Sequence, residues 1–383
     1  MNYGEFDFFS NGFQPSNNNS DSNGSGDTYL FMAIAANPDI TAPTKANSFK
    51  TKIYTGNNST QSITGAGFKP DFIWFKNRTG TNSNALVDSV RGRGSYLYSD
   101  TNTQQSGASG ASNDLVSFDS DGFTVGSVSQ AGSTNTSGGS IVAWLWKALD
   151  HDRNLATINN DGNTSSIVSA NPKAGFSIVK YISPGVFNQF AVGHGLSSAP
   201  QLIIQKSLTS SSANNYVLTN AIDGSGDYLK LDTNDAKTDI TGSATSLFRF
   251  DPKTFTDWWS SAQTVINYCF HSVAGYSSIG TYTGNGSTTG PSVTVGFRPS
   301  WIITKNVSNT GSWYIWDAVR AGSTTAFPKL LYANITNVEY DTTGTAYDGM
   351  VMNITDTTFE VDFSSAWTAL NTSGNTYLYM AFK

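Results

Sequence analysis

The string GFRPSWIITK occupies residues 296–305, and a near-copy, GFKPDFIWFK, occupies residues 67–76. Each has a glycine, a phenylalanine, a basic residue and a proline, then an apolar run that ends in lysine. Glycine supplies backbone conformations closed to other residues. Proline is tolerated where a strand begins, because its missing N–H is not needed there. The run after it is rich in β-branched and aromatic residues, so it reads as a strand.

Other fixed points line up around this string, as expected of an internal repeat. KIYTGNNSTQSITGAGFKPDFIWFKNRTGTNSNALVDSVR (residues 52–91) matches GTYTGNGSTTGPSVTVGFRPSWIITKNVSNTGSWYIWDAVR (residues 280–320) through Tyr-Thr-Gly-Asn, Lys-Asn and Asp-x-x-Arg. A divergent middle copy starts at FSIVKYISPG (residue 176). There Gly195-Leu196 replaces Gly-Phe, and Pro200 precedes an apolar run ending at Lys206. Closing segments also recur: NTYLYMAFK (375–383) resembles DTYLFMAIA (27–35), GSIVAWLWKA (139–148) and QTVINYCFHS (263–272). The expected unit is about 100 residues. Its boundaries fall at 48–148, 173–274 and 275–383, with an incomplete closing half at 1–36 and polar, turn-rich linkers at 37–47 and 149–172. The closing half at 1–36 carries an apolar strand that must complete some sheet, since an unpaired strand is an aggregation hazard.

Turn signals such as SNGF, SDGF and TGNG divide short strands. SWYIWDA alternates with period two. Large inward rings on many short strands imply two packed sheets. The expected fold is all-β: tandem concanavalin-like or jelly-roll β-sandwich repeats preceded by an incomplete repeat.

Only 13% of residues are charged and 13% are aromatic, the reverse of a disordered chain. The net charge of −6, with no run of Lys or Arg, argues against nucleic acid as a partner. No stretch approaches the apolar length of a membrane span, and MNYGEFDFFSNG lacks the regions of a secretory signal. The single Cys269 excludes an internal disulfide or a cysteine cage, and reads as a small buried apolar side chain.

The order Y-T-G-N-G, G-F-[KR]-P, K-N, G-x-W, D-x-x-R and a closing Y-[IL]-Y-M-A-F resembles a repeat module of structural proteins in tailed, particularly marine, bacteriophages. HGLSSAPQLIIQK (194–206) resembles a variant of it. The resemblance covers most of residues 48–383 and, in half-form, 1–36. It implies a virion-surface role in capsid or tail, a chain made in the host cytoplasm, other virion proteins or further copies as partners, and no catalytic residues to transfer.

The residues themselves suggest little chemistry. Glu5 with Asp7, and Glu360 with Asp362, place acid pairs on one side of a strand, as a glycosidase would. They do not occupy equivalent repeat positions, so solvated strand acids are the expectation and no enzyme is implied. Asp119 and Asp121 in FDSDGF suggest a calcium loop, but the equivalent FFSNGF keeps only the glycine, which marks a turn. DTNDAKTD (232–239) is a weak cation candidate, and His151, His194 and His271 accompany no nucleophile motif. No cofactor or metal is expected. Asp88 with Arg91, and Asp317 with Arg320, predict ion pairs that fix a loop or touch a neighbouring unit. Trp258, Trp259 and Trp367 lie in loop-like segments and are the candidates for stacking on a host glycan. The leading expectation is a non-enzymatic phage structural protein; the alternative is a receptor-binding fibre or lectin.

Overall fold

The computed structural model describes residues 6–9, 12–15, 24–28, 48–107, 114–127, 134–149, 156–186, 190–240, 249–343, 350–362 and 369–383. The chain divides into two compact units, Met1–Ile40 and Thr41–Lys383. In the first, strands Phe6–Phe9 and Gly12–Pro15 form an antiparallel hairpin in which Phe8 opposes Phe13 and Phe9 opposes Gly12. The hairpin Leu115–Asp119/Gly122–Val125 in the second unit has the same register, with Phe118 opposite Phe123 and Asp119 opposite Gly122.

The second unit is all-β and built from antiparallel sheets. Three large sheets repeat one order, in which the last strand of a module inserts between its first and second. In the first module the order is Phe49–Thr55, Ser140–Trp146, Phe72–Asn77, Ala85–Asp88, Leu97–Tyr98. In the second, the corresponding strands are Phe176–Pro184, Ala262–Phe270, Leu202–Ser207, Tyr216–Thr219 and Asp227–Lys230. In the third they are Ser277–Thr283, Thr376–Phe382, Trp301–Asn306, Trp313–Asp317 and Lys329–Tyr332. Smaller sheets face them: Gln61–Thr64 with the 115–125 hairpin, Ala191–Gly193 with Thr254–Thr256, and Ser292–Thr294 with Thr358–Asp362, Val351–Ile354 and Ala326–Phe327.

The repeated string sets each large sheet. Gly67, Gly195 and Gly296 have φ of 81°, 70° and 82°, the left-handed region that favours glycine. That turn drops Phe68, Leu196 and Phe297 into the core. Just after Pro70, Pro200 and Pro299 the ladder begins: Asp71, Gln201 and Ser300 donate N–H to Trp146, Phe270 and Phe382, each at 2.8 Å. The strand then ends the same way three times. Asn77 Oδ1 accepts from the N–H of Thr79 and Gly80, Ser207 Oγ from Thr209 and Ser210, and Asn306 Oδ1 from Ser308 and Asn309.

These strands read as continuous apolar runs because both faces of each large sheet are covered. Ile73 and Phe75 point into the first module's own core, Ile203 into the second's and Ile302 into the third's. Phe72 and Trp74, Leu202 and Ile204, and Trp301 and Ile303 point the other way, into one core common to all three modules. Trp146 lies near its centre, 5.7 Å from the Trp301 ring, 5.9 Å from Phe382 and 6.4 Å from Phe270. The modules are therefore not beads on a string. Each would expose a face of aromatic rings without the other two.

One expectation is corrected. The segment read as a linker at 149–172 contains the strands Thr157–Asn159 and Ser166–Asn171, which extend the second module's sheet to 8 strands. Its polar NNDGN is the turn of that hairpin. An edge strand needs few apolar residues, and here Val168 enters the second module's core from this pair with Ala170 packed against it. The only helix among the described residues is the four-residue Ala318–Ala321, in line with the absence of a helical pattern.

Candidate functional site

The polar residues that recur between modules converge on the seams of the shared core. Lys76, Lys206 and Lys305 end equivalent strands and are at most 1% exposed. Lys76 Nζ donates to Asn84 Oδ1 at 2.7 Å and to Ile335 O of the third module at 3.2 Å. Lys206 Nζ donates to Ala213 O at 2.5 Å and reaches Thr101 O of the first module at 3.5 Å. Lys305 Nζ donates to Asn306 O at 2.7 Å and reaches Asn234 O of the second module at 3.4 Å. Burial lowers each amine to about 8, because a dry site disfavours the ammonium.

A second position repeats the pattern. Asn84 and Asn215 immediately precede equivalent strands, and the register places Trp313 at the same point. Asn84 Nδ2 donates to Ala333 O at 3.0 Å, Asn215 Nδ2 to Tyr98 O at 2.9 Å, and Trp313 Nε1 to Lys230 O at 2.9 Å. Each of these residues is held by its own module, since their N–H groups donate to Asp100, Asp232 and Asn334. At both positions the direction is the same: the first module donates to the third, the second to the first, and the third to the second. Contacts of this head-to-tail kind close into a cycle when the rotation permits. Three modules here close into a ring with approximate three-fold order.

The Asp-x-x-Arg elements lie on the same seams and are buried. Arg91 Nε donates to Asp88 Oδ2 at 2.5 Å, and its Nη2 to Leu86 O at 2.9 Å. Arg320 repeats both bonds, to Asp317 and to Ile315 O. Locally the aspartate caps a turn, accepting the arginine's own backbone N–H at 2.8 Å in both copies. Its second oxygen also accepts from the next module: Tyr268 OH donates to Asp88 Oδ2 at 2.8 Å, and Trp144 Nε1 to Asp317 Oδ2 at 3.1 Å. The register places Trp144, Tyr268 and Met380 at one position, and Asp88, Asp317 and Thr219 at another. Met380 has no polar hydrogen to give, and its module donates to the one in which Thr219 replaces the aspartate. Donor and charged acceptor are thus lost together at the seam between the third and second modules.

Glu339, which the sequence reading passes over, fastens the seam between the first and third modules. It pairs with Arg78 at 2.6 Å and with Arg320 at 3.0 Å, while its N–H donates to Arg78 O at 2.7 Å. The two guanidinium groups hold its carboxyl below its usual value against the opposing effect of burial.

The remaining candidates are placed as follows. Trp258 and Trp259 are half-buried and pack with Tyr216 and Tyr228, at ring separations of 4.7 Å for Tyr216–Trp258 and 5.3 Å for Tyr228–Trp258. Trp258 Nε1 donates to Gln205. Trp367, His151 and Glu5 lie outside the described residues, and of Asp7 only the strand is described. Glu360 and Asp362 are half-buried on the small sheet of the third module, where Asp362 accepts from Asn353. Asp121 accepts the N–H of Gly65 at 2.9 Å and of Gly67 at 2.6 Å, and Asp119 accepts from the hydroxyls of Ser117 and Thr124. Both serve the turn. Asp223, Asp227 and Asp239 converge closely enough for a cation, and the cation they hold is the Lys237 ammonium, in contact with all three. His194 Nδ1 accepts the Leu196 N–H at 3.1 Å, so its Nε2–H donates to Asp251 O at 3.0 Å, which fixes a turn. Cys269 is buried, and burial pushes its thiol well up.

Fold and seams together define an all-β protein whose sandwich modules share one core and use their recurrent polar residues to bind one another. The family model described as "Domain of unknown function (DUF7483)" matches residues 44–383, so the chain belongs to that family. The match runs through all three modules. No curated protein and no solved structure matches the chain.

Proposed function

We propose that this chain is a non-enzymatic structural protein of a bacteriophage virion, an accessory or fibre component of the capsid surface or tail, with other virion proteins and further copies of itself as partners. One observation carries the reading: the side chains that recur between modules are spent on module-to-module bonds. Enzymes place their distinctive polar groups around a substrate; here Asp88, Arg91, Asp317 and Arg320 are sealed inside seams. The repeat pattern, which resembles phage structural modules, supplies the virion context. The test is location. Gold-labelled antibody against this chain, applied to purified particles, should decorate capsid or tail at regular sites. A chain recovered only from the host cytoplasm, with none in particles, would overturn the reading.

A second reading, recognition of host surface glycans, is favoured by the half-buried ring cluster of Trp258, Trp259, Tyr216 and Tyr228. Rings with a partly open face suit stacking on sugars. A glycan array comparing the unaltered protein with Trp258→Ala and Trp259→Ala separates the readings: loss of a specific signal supports recognition, and no signal from the unaltered protein rejects it.

A further inference from the structure

Lys76 and Asn84 face each other across the start of the antiparallel pair formed by Phe72–Asn77 and Ala85–Asp88, and both are 0% exposed. Lys76 Nζ stands 2.7 Å from Asn84 Oδ1, so the amide carbon lies one bond further away. Asp100 is anchored beside them, its Oδ1 accepting the Asn84 N–H at 2.7 Å. Its Oδ2 is buried and has no hydrogen-bond partner. A buried amine and a buried carboxamide are thus in contact, with the carboxyl group of the half-buried Asp100 held at the edge of the site by the Asn84 backbone N–H.

We infer that Lys76 and Asn84 form an intramolecular isopeptide cross-link, with Asp100 moving the protons. The neutral Lys76 Nζ attacks Asn84 Cγ, the Nζ–Cγ bond forms and the Cγ–Nδ2 bond breaks. Asp100 gives a proton to the departing Nδ2 and takes one from the attacking Nζ, so the carboxyl group is regenerated. One ammonia leaves, and nothing is oxidised or reduced. The new amide keeps one N–H on Nζ, which already lies 3.2 Å from Ile335 O, so the seam to the third module retains a bond there.

The surroundings favour each part. Burial holds Lys76 near 8, which leaves a fraction of the amine uncharged and nucleophilic at neutral pH. Burial likewise raises the Asp100 carboxyl, against the pull of the Asn84 N–H, the Ser83 hydroxyl and Lys76, which suits a group that must carry a proton. Holding amine and carbonyl in contact converts an otherwise slow aminolysis into an intramolecular step.

The other modules serve as internal controls. The second has Lys206, Asn215 and Asp232 at the same places, but Lys206 Nζ donates to Ala213 O, and Asn215 Oδ1 is buried without a partner. The third has Trp313 in place of the asparagine and cannot react. The inference is therefore confined to the first module.

Intact mass spectrometry of the denatured full chain, fresh and after incubation at pH 8, tests it. The mass should fall short of the sequence mass by one ammonia, and a tryptic digest should yield a branched peptide joining Lys76 to Asn84. Asp100→Asn should keep the native tryptophan fluorescence and regain the full mass. The inference is overturned by an unaltered chain that holds its full sequence mass after incubation, by a cross-link mapped to another pair instead, or by an Asp100→Asn protein that cross-links as before.

Discussion

Replacing Lys206 with Met should change not only the stability of the ring but its dependence on pH. The Lys206 amine is held at about 8, against about 10.4 in an unfolded chain. Between those values the unfolded chain binds a proton that the folded protein does not, so stability rises with pH. At pH 7.5 the burial of Lys206 costs about 3 kcal/mol, and at pH 9.5 about 1 kcal/mol. The unaltered protein should therefore gain about 2 kcal/mol over this range that Lys206→Met does not gain. Cys269 and the buried tyrosines oppose the rise, since they ionise more easily when unfolded, but they act equally in both proteins and cancel in the difference. The loss of a donor to Ala213 O is also independent of pH. Guanidinium unfolding at pH 7.5, 8.5 and 9.5, followed by tryptophan fluorescence, gives the two curves. Lys305→Met should behave alike, its amine also being held at about 8. A constant difference between variant and parent would refute the reasoning, as would a parent that loses stability relative to the variant as pH rises.

Three further outcomes follow from the geometry. Gly67→Ala and Gly296→Ala should each cost about 1–2 kcal/mol in chemical denaturation, because a Cβ there meets nothing and only the left-handed backbone is penalised. Gly122→Ala should cost clearly more, since its Cβ would stand 1.9 Å from Ile63 O and force apart Gln61–Thr64 and Gly122–Val125. Tyr268→Phe removes a buried hydroxyl that bonds both Asp88 and Arg91; a loss of about 1–3 kcal/mol is expected from unfolding curves, with the seam between the first and second modules loosened in hydrogen exchange. Cys269 should resist a thiol reagent in the native protein and react at once in denaturant, because the side chain is sealed and its thiol is pushed up.

The turn and the start of each main strand were legible because their causes are local. A glycine in the left-handed region, a proline that need not donate and an apolar run can be read within ten residues. The hairpin turn at Asp119–Gly122 was legible for the same reason. Glu339 and the lysines at the strand ends were not. Lys76, Lys206 and Lys305 could be seen to recur, but nothing near them in the chain says what a buried ammonium bonds. The strands at 157–159 and 166–171 were missed because an edge hairpin with only Val168 and Ala170 against the core has the composition of a linker.

By itself, then, the sequence determined the all-β class and the punctuation of its strands, since period-two patterning and backbone sterics act between neighbours. Only tertiary structure decided that the modules share a core and close into a ring. The reason is distance along the chain: Lys76 finds a carbonyl 259 residues away, and Trp144 an aspartate 173 residues away. A polar group is tolerated in such a core only once that distant partner is in place.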